Sequence, residues 1–168
     1  GIGKTTLVKN LNNKLKESSS TLSFSIIIWA TVSQKLDLRK VQIQIAERLN
    51  LEVKVEESEE SMAKRLHWRL RKEKFLLILD DVWDTINLDS LGVPQPEDHA
   101  GSNILLTSRS FEVCRKMKTD KQVKVEVLND EESWLLFYEN AGKVATSEHI
   151  EPIARAVAKE CGGSTVSP

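Results

Sequence analysis

Uninterrupted apolar stretches alternate along this chain with stretches in which apolar residues recur every three or four positions. The uninterrupted stretches are rich in β-branched and aromatic residues, which is typical of strands buried on both faces in parallel sheets. They predict strands at Phe24–Val32, Phe75–Asp81 and Asn103–Thr107. The helical spacing predicts helices at about residues 4–16, 38–49, 58–70 and 111–117. This alternation indicates an α/β fold in which right-handed crossovers join parallel strands.

After Leu128 only helical spacing follows. Asn129 with Glu132 three residues later has the pattern of a capping box, which predicts the start of a helix. The apolar face of this helix would carry Trp134, Tyr138 and Ala141. A last helix would present Ile150, Ile153, Val157 and Cys161 on one face and end at Gly162-Gly163.

An edge strand is predicted directly before this change, because Val123, Val125 and Val127 alternate with polar residues. Strands therefore stop near residue 128. We predict that residues 1–128 form an α/β subdomain and that residues 129–168 begin a helical one.

Composition and charge exclude some classes of partner and location. The 168 residues carry a net charge of -1, so no general electrostatic attraction to nucleic acid or to an anionic membrane is expected. No apolar run approaches the roughly 20 residues of a membrane-spanning helix. Cys114 and Cys161 lack the spacing of a metal or redox motif, which favours a reducing compartment.

Candidate chemistry begins at the first residue. Gly1-Ile2-Gly3-Lys4-Thr5-Thr6 matches the second half of the phosphate-binding pattern G-x-x-x-x-G-K-[ST]. Gly3 would let the backbone approach a phosphate closely, because glycine has no Cβ. Lys4 would contact the β- and γ-phosphate oxygens, and the Thr5 hydroxyl would ligate Mg²⁺. A glycine-rich tail that leads into a helix is the alternative for this hexapeptide alone.

Two further polar clusters follow predicted strands. Asp80 and Asp81 end the second strand, and Ser108 and Arg109 follow the third. Ligands collect beyond the carboxyl ends of parallel strands, so we expect these clusters to share one site with Lys4. Asp80 would hold Mg²⁺ directly or through water, Asp81 would orient or deprotonate a water, and Arg109 would reach the γ-phosphate.

Each cluster has a simpler explanation when it is taken alone. The acid pair could cap a turn, and Thr107 to Arg109 could be a polar strand exit. Their occurrence together, in this order and at strand ends, favours a nucleotide site. The tryptophans are interpreted as packing residues rather than as ligand contacts: Trp29, Trp68, Trp83 and Trp134.

These motifs resemble the NB-ARC nucleotide-binding domain of plant disease-resistance proteins that carry leucine-rich repeats. Gly1–Thr6 resembles the phosphate loop of this family, Leu76–Trp83 its second kinase motif, and Gly101–Arg109 the motif whose arginine senses the γ-phosphate. Trp83 at this place is typical of the class with an N-terminal coiled coil rather than a Toll-like domain. The resemblance implies a P-loop NTPase sheet of the AAA+ and STAND kind, with its first strand missing, followed by the start of the ARC helical subdomain.

The resemblance also implies a function. The chain would belong to a cytoplasmic immune receptor that is off with ADP and on with ATP, with slow hydrolysis as the reset and Mg²⁺ as the metal. Partners would be a coiled coil and leucine-rich repeats of the same chain, and further copies of the receptor after activation, without direct nucleic-acid contact. After Gly162-Gly163 the family usually continues Leu-Pro-Leu-Ala, whereas this chain has Ser164–Pro168.

Two other functions stay open. A turnover ATPase of the AAA+ kind would use the same motifs, although its fast members commonly carry glutamate where this chain has Asp81. A degenerate scaffold that binds no nucleotide would not need the intact Lys4, Thr5, Asp80 and Arg109 of this chain.

By analogy with the family, the strand before the phosphate loop would lie between the strands that end at Asp80 and Arg109. The sequence here does not include that strand. Loss of a central strand leaves backbone groups unpaired and opens an apolar slot. We therefore expect these 168 residues alone to be molten or aggregated.

Overall fold

The computed structural model describes residues 4–17, 24–95, 101–126, 128–147 and 149–160. The chain divides into two compact units, and each is described by itself. The sheet unit is Asn12–Gln122, and the helical unit is Gly1–Leu11 together with Val123–Pro168. Helix α1 (Lys4–Glu17) has residues in both units.

The sheet unit contains three parallel strands in the order β1, β2, β3, which confirms the predicted α/β fold with a parallel sheet. Its elements are β1 (Ile26–Thr31), α2 (Leu38–Arg48), α3 (Glu59–Leu70), β2 (Phe75–Val82), α4 (Leu88–Leu91), β3 (Asn103–Ser108) and α5 (Phe111–Lys116). All three predicted strands are present. The predicted helices correspond to α1, α2, α3 and α5.

The short helix α4 lies in a stretch whose glycines and prolines indicated only turns. It ends at Gly92, which has a left-handed backbone with a φ of 87°. A Cβ at this position would lie 2.4 Å from the backbone oxygen of Ala63, so only glycine fits.

Strand β2 lies at the centre of the hydrophobic core, because its residues from Phe75 to Asp80 are all buried. Helices α2 and α3 contribute the fully buried Ile45 and Leu66 to the same cluster as Leu77. The apolar positions that predicted these two helices are therefore the positions that the core buries.

Strands β2 and β3 pair directly with each other, with Ile78 opposite Leu105. The expectation of a missing strand between them is wrong, because each strand already supplies the backbone partners of the other along their shared side. The expectation that the isolated 168 residues are molten or aggregated stays a prediction, but a gap between β2 and β3 is not its reason.

The helical unit contains α6 (Asp130–Ala141), a 3₁₀ turn (Gly142–Thr146) and α7 (Glu151–Glu160). The predicted start of α6 is confirmed. The Asn129 side chain accepts a hydrogen bond from the Glu132 N–H at 2.9 Å, and the Glu132 carboxylate accepts one from the Asn129 N–H at 2.9 Å. This reciprocal capping box fixes the first turn of the helix.

The predicted edge strand at Val123 to Val127 is wrong for the residues that the structure describes. Residues 121–126 form no strand, and Val123 is 83% exposed. Alternation of apolar and polar residues forms a strand only where a neighbouring strand accepts its hydrogen bonds. Val127 lies outside the described residues.

The helix faces that are buried in the helical unit are not the ones that the sequence predicts. Helix α7 buries Ala154 and Ala158, whereas Ile153 and Val157 are exposed, and Ala141 of α6 is exposed. Cys161, Gly162-Gly163 and Ser164–Pro168 lie outside the described residues. None of the helices in the described part of the chain combines the length and the hydropathy that a bilayer span requires.

Candidate functional site

The structure brings the acid pair and the arginine together at one edge of the sheet. Asp80 and Asp81 lie at the carboxyl end of β2, and Arg109 directly follows β3. The Arg109 Nε atom lies 3.5 Å from Asp81 Oδ1. Because all strands are parallel, this edge is where ligands of such sheets bind.

A β-bulge gives the two neighbouring acids different environments. Between Leu79 and Val82, β2 has one residue more than the facing part of β3, and Asp81 adopts a left-handed backbone with a φ of 58°. Asp80 is buried, with 4% of its surface exposed, whereas 37% of the Asp81 side chain is exposed. Because of the bulge, the Asp80 carboxylate is buried while the Asp81 carboxylate faces solvent.

The Thr107 hydroxyl fixes both acids. It donates a hydrogen bond to Asp80 Oδ1 at 2.6 Å and accepts one from the Asp81 N–H at 2.9 Å. Thr107 is buried on β3. The sequence predicts Thr107 only as the last residue of the third strand, without a role at the acids. One sequence signal points to this role: Thr107 has a hydroxyl and lies near the end of β3. Strand β3 pairs with β2, which carries the two acids.

Replacement of Thr107 by valine tests this contact, because it keeps the shape and removes both hydrogen bonds. We expect a loss of about 1–2 kcal/mol in the free energy of unfolding, since a half-buried N–H loses its acceptor. Urea denaturation of the complete domain measures it. The matched control is Thr31→Val at the exposed end of β1. Equal effects of the two substitutions would contradict a special role for Thr107.

Trp83 contacts both members of the Asp81–Arg109 pair. Its indole N–H donates a hydrogen bond to Asp81 Oδ2 at 3.0 Å. The Arg109 Cζ atom lies 4.9 Å from the centre of its ring. The interpretation of Trp83 as a packing residue is therefore incomplete. Asp81, Trp83 and Arg109 form one cluster, called the charge cluster below.

The turn that carries Arg109 is held by its neighbour. The Ser108 hydroxyl donates a hydrogen bond to the Val82 carbonyl at 2.7 Å and accepts one from the Ser110 N–H at 3.1 Å. Ser110 precedes the first residue of α5. The end of β3 is thus tied to the end of β2 and to the start of the next helix, which sets where Arg109 emerges.

The phosphate-loop residues fall in two groups. Gly1, Ile2 and Gly3 lie outside the described residues. The next three residues, Lys4, Thr5 and Thr6, form the first turn of α1 and are half-buried. They belong to the helical unit, whereas the charge cluster belongs to the sheet unit. The convergence of Lys4 with Asp80 and Arg109 therefore stays a prediction.

Within the sheet unit, the Asp80 carboxylate is a hard oxygen ligand of the kind that Mg²⁺ prefers. Thr5, which has a hydroxyl of the same hard type, lies in the helical unit. Within the described ranges, no three His, Cys, Asp or Glu side chains gather into a metal site. Mg²⁺ in nucleotide sites is held by one or two protein ligands together with phosphate oxygens and waters, so a single carboxylate such as Asp80 has the chemistry for that role.

A parallel α/β sheet with an acid at the carboxyl end of a strand is compatible with a P-loop NTPase, in which such an acid serves Mg²⁺. Residues 1–147 match the NB-ARC domain. The chain belongs to the NB-ARC family of nucleotide-binding P-loop domains.

The chain is similar to disease resistance proteins of Arabidopsis thaliana. It is 55% identical to the disease resistance protein At4g27190 over 97% of its own length and 17% of that relative. It is 44% identical to the probable disease resistance protein At4g27220, with 97% and 18% covered. The disease resistance protein RPS5 is 39% identical, with 97% and 19% covered. The chain thus spans less than a fifth of these relatives.

Proposed function

We propose that this chain is the nucleotide-binding part of a plant immune receptor, in which bound ADP or ATP sets the signalling state and slow ATP hydrolysis resets it. The observation that carries the proposal is the charge cluster at the carboxyl edge of a P-loop NTPase sheet. The names of the similar proteins support the role in disease resistance.

Each residue would have a defined task at the nucleotide. The loop Gly1, Ile2 and Gly3 would surround the phosphates, with Lys4 on the β- and γ-phosphate oxygens and Thr6 beside them. Thr5 and Asp80 would hold Mg²⁺, which when bound neutralises charge on the phosphate oxygens.

The two residues of the charge cluster that face solvent would act at the terminal phosphate. Arg109 would contact the γ-phosphate, because its planar, permanently charged group suits phosphate oxygens. Asp81 would orient the attacking water or accept its proton. The buried Asp80 cannot take this second task while it serves the metal, so the bulge that separates the two acids supports this division.

We also propose the subdomain boundaries, the partner domains and the location of the parent protein. We assign residues 1–128 to the nucleotide-binding subdomain and residues 129–168 to the start of the first ARC subdomain. The similar proteins are more than five times longer, and we propose a coiled coil and leucine-rich repeats as partner domains. The receptor would act in the cytoplasm and assemble with further copies after activation, without contacting nucleic acid.

The nucleotide content of the purified full-length parent protein tests the proposal. After denaturation and chromatography we expect close to one adenine nucleotide per chain. Steady-state hydrolysis should be slower than about one ATP per minute, the range of slow switch enzymes. Many turnovers per minute would favour an AAA+ motor, against which Asp81 in place of glutamate argues. A protein without nucleotide would instead support a degenerate scaffold.

A further inference from the structure

We propose that Trp83 is a positioning residue for this nucleotide site, which holds Arg109 where it favours a triphosphate over a diphosphate and holds Asp81 for hydrolysis. The proposal rests on the proposed function, because it adds a residue to the same site. It is carried by the two contacts that join Trp83 to the charge cluster.

The first contact restricts Arg109. Its side chain is 61% exposed, and a long exposed side chain samples many rotamers unless a neighbour holds it. Here the guanidinium lies over the Trp83 ring while Nε faces Asp81. Among the described residues, its contacts are the ion pair from Nε to Asp81 and the approach of Cζ to the Trp83 ring. The N–H groups of the two Nη atoms therefore remain available to an anion. Because Trp83 already restricts the Arg109 side chain, this side chain loses less conformational entropy when it binds a γ-phosphate.

The second contact restricts Asp81. Its two carboxylate oxygens face different partners, Trp83 through Oδ2 and Arg109 through Oδ1. Its backbone is fixed by the hydrogen bond from its N–H to Thr107. Each carboxylate oxygen has a second lone pair, so the group can still accept a hydrogen bond from water. Trp83 thus sets the direction in which that lone pair points.

Tryptophan is the residue that supplies both contacts, because it combines a large π-face with an N–H donor. Phenylalanine at this position keeps a ring for Arg109 and removes the hydrogen bond to Asp81. Leucine removes both. The two contributions of Trp83 can therefore be measured separately, as a nucleotide preference and as a hydrolysis rate.

The test compares Trp83→Phe and Trp83→Leu in the full-length parent protein after removal of bound nucleotide. The dissociation constants of ADP and of a slowly hydrolysed ATP analogue are measured, together with single-turnover ATP hydrolysis. Trp83→Leu should weaken the analogue about two- to fivefold relative to ADP, the range of an exposed cation–π contact. Trp83→Phe should retain most of this preference. Both variants should hydrolyse ATP about three- to tenfold more slowly, because Asp81 loses a hydrogen bond.

The matched controls are Trp68→Leu and Trp68→Phe. Trp68 is 64% exposed on α3 and carries the Lys72 ammonium 3.2 Å from its ring centre. Trp68→Leu removes a similar cation–π contact outside the charge cluster, and Trp68→Phe keeps a ring for the cation, as Trp83→Phe does. Trp68→Leu should leave the nucleotide preference and the rate unchanged. Equal changes in the Trp68 and Trp83 variants would overturn the proposal.

Other outcomes are also decisive. A Trp83→Leu protein with wild-type preference and rate overturns the proposal, while the proposed function stands as long as Lys4→Arg loses nucleotide. If Trp83→Leu does not fold, the hydrolysis rate of Trp83→Phe against Trp68→Phe decides. Unchanged nucleotide content in Lys4→Arg contradicts the proposed function itself, whatever the tryptophan variants do.

Discussion

Replacement of Lys4 by arginine in the full-length parent protein should lower its affinity for ADP and ATP about 10- to 100-fold, which corresponds to the loss of one hydrogen bond to a charged group. The side chain keeps its charge but changes from a compact ammonium to a planar fork. A tight phosphate loop that is shaped around a point charge has no room for that fork. The effect should appear for both nucleotides, because Lys4 would contact the β-phosphate that they share.

Titration calorimetry on nucleotide-free protein measures this loss, and the nucleotide retained after purification gives an independent reading. Lys9→Arg is the matched control, because Lys9 is exposed on the same helix α1. The control should bind like the wild type. Unchanged ADP content in Lys4→Arg would remove Lys4 from the site and with it the phosphate-loop assignment.

The strands could be predicted from the sequence because their burial is a local property of the residues. Strand β2 is buried from Phe75 to Asp80, and every one of these positions is apolar except the acid at its end. A run of this kind leaves little choice of structure. The same holds for α6, whose start is marked by the capping box of Asn129 and Glu132. Local chemistry was sufficient in both cases.

Features that depend on pairing between distant residues could not be read in this way. The bulge at Asp81 arises from the register of β2 against β3, and Thr107 becomes a partner of the acids only through that register. The order of the strands is equally non-local, and the analogy that placed a missing strand between β2 and β3 failed. Val123 had the alternation of a strand, but alternation does not supply the partner that a strand needs.

The candidate site also combines features that contiguous residues predict with features that depend on contacts between distant residues. The motifs identified Asp80, Asp81 and Arg109 as residue types suited to a magnesium nucleotide, since each motif is contiguous in the sequence. The contacts of Trp83 depend on where two chain segments meet, which no motif records. Its position between an acid and an arginine is what distinguishes Trp83 from an ordinary packing tryptophan.

Replacement of Asp81 by asparagine should reduce single-turnover ATP hydrolysis about 100-fold or more, the contribution typical of a positioned general base. Asparagine can still accept the Trp83 hydrogen bond, so the local structure should persist. It cannot take a proton, and it loses the charge that faces Arg109. Because Lys4, Thr5 and Asp80 remain, the affinity for ATP should change only a few-fold, as expected for an exposed ion pair.

Asp84→Asn is the matched control, since Asp84 is exposed and its carboxylate accepts a hydrogen bond from the adjacent Thr85 N–H at 2.7 Å. It should hydrolyse ATP at the wild-type rate. If Asp81→Asn binds ATP and hydrolyses it as fast as this control, Asp81 is not the group that activates water. The slow reset would then have to come from the ordering of water by Arg109 and the phosphate loop alone. A large loss of rate with retained binding would instead leave the parent protein loaded with ATP. If the parent protein is the proposed switch, such a variant should signal without a pathogen.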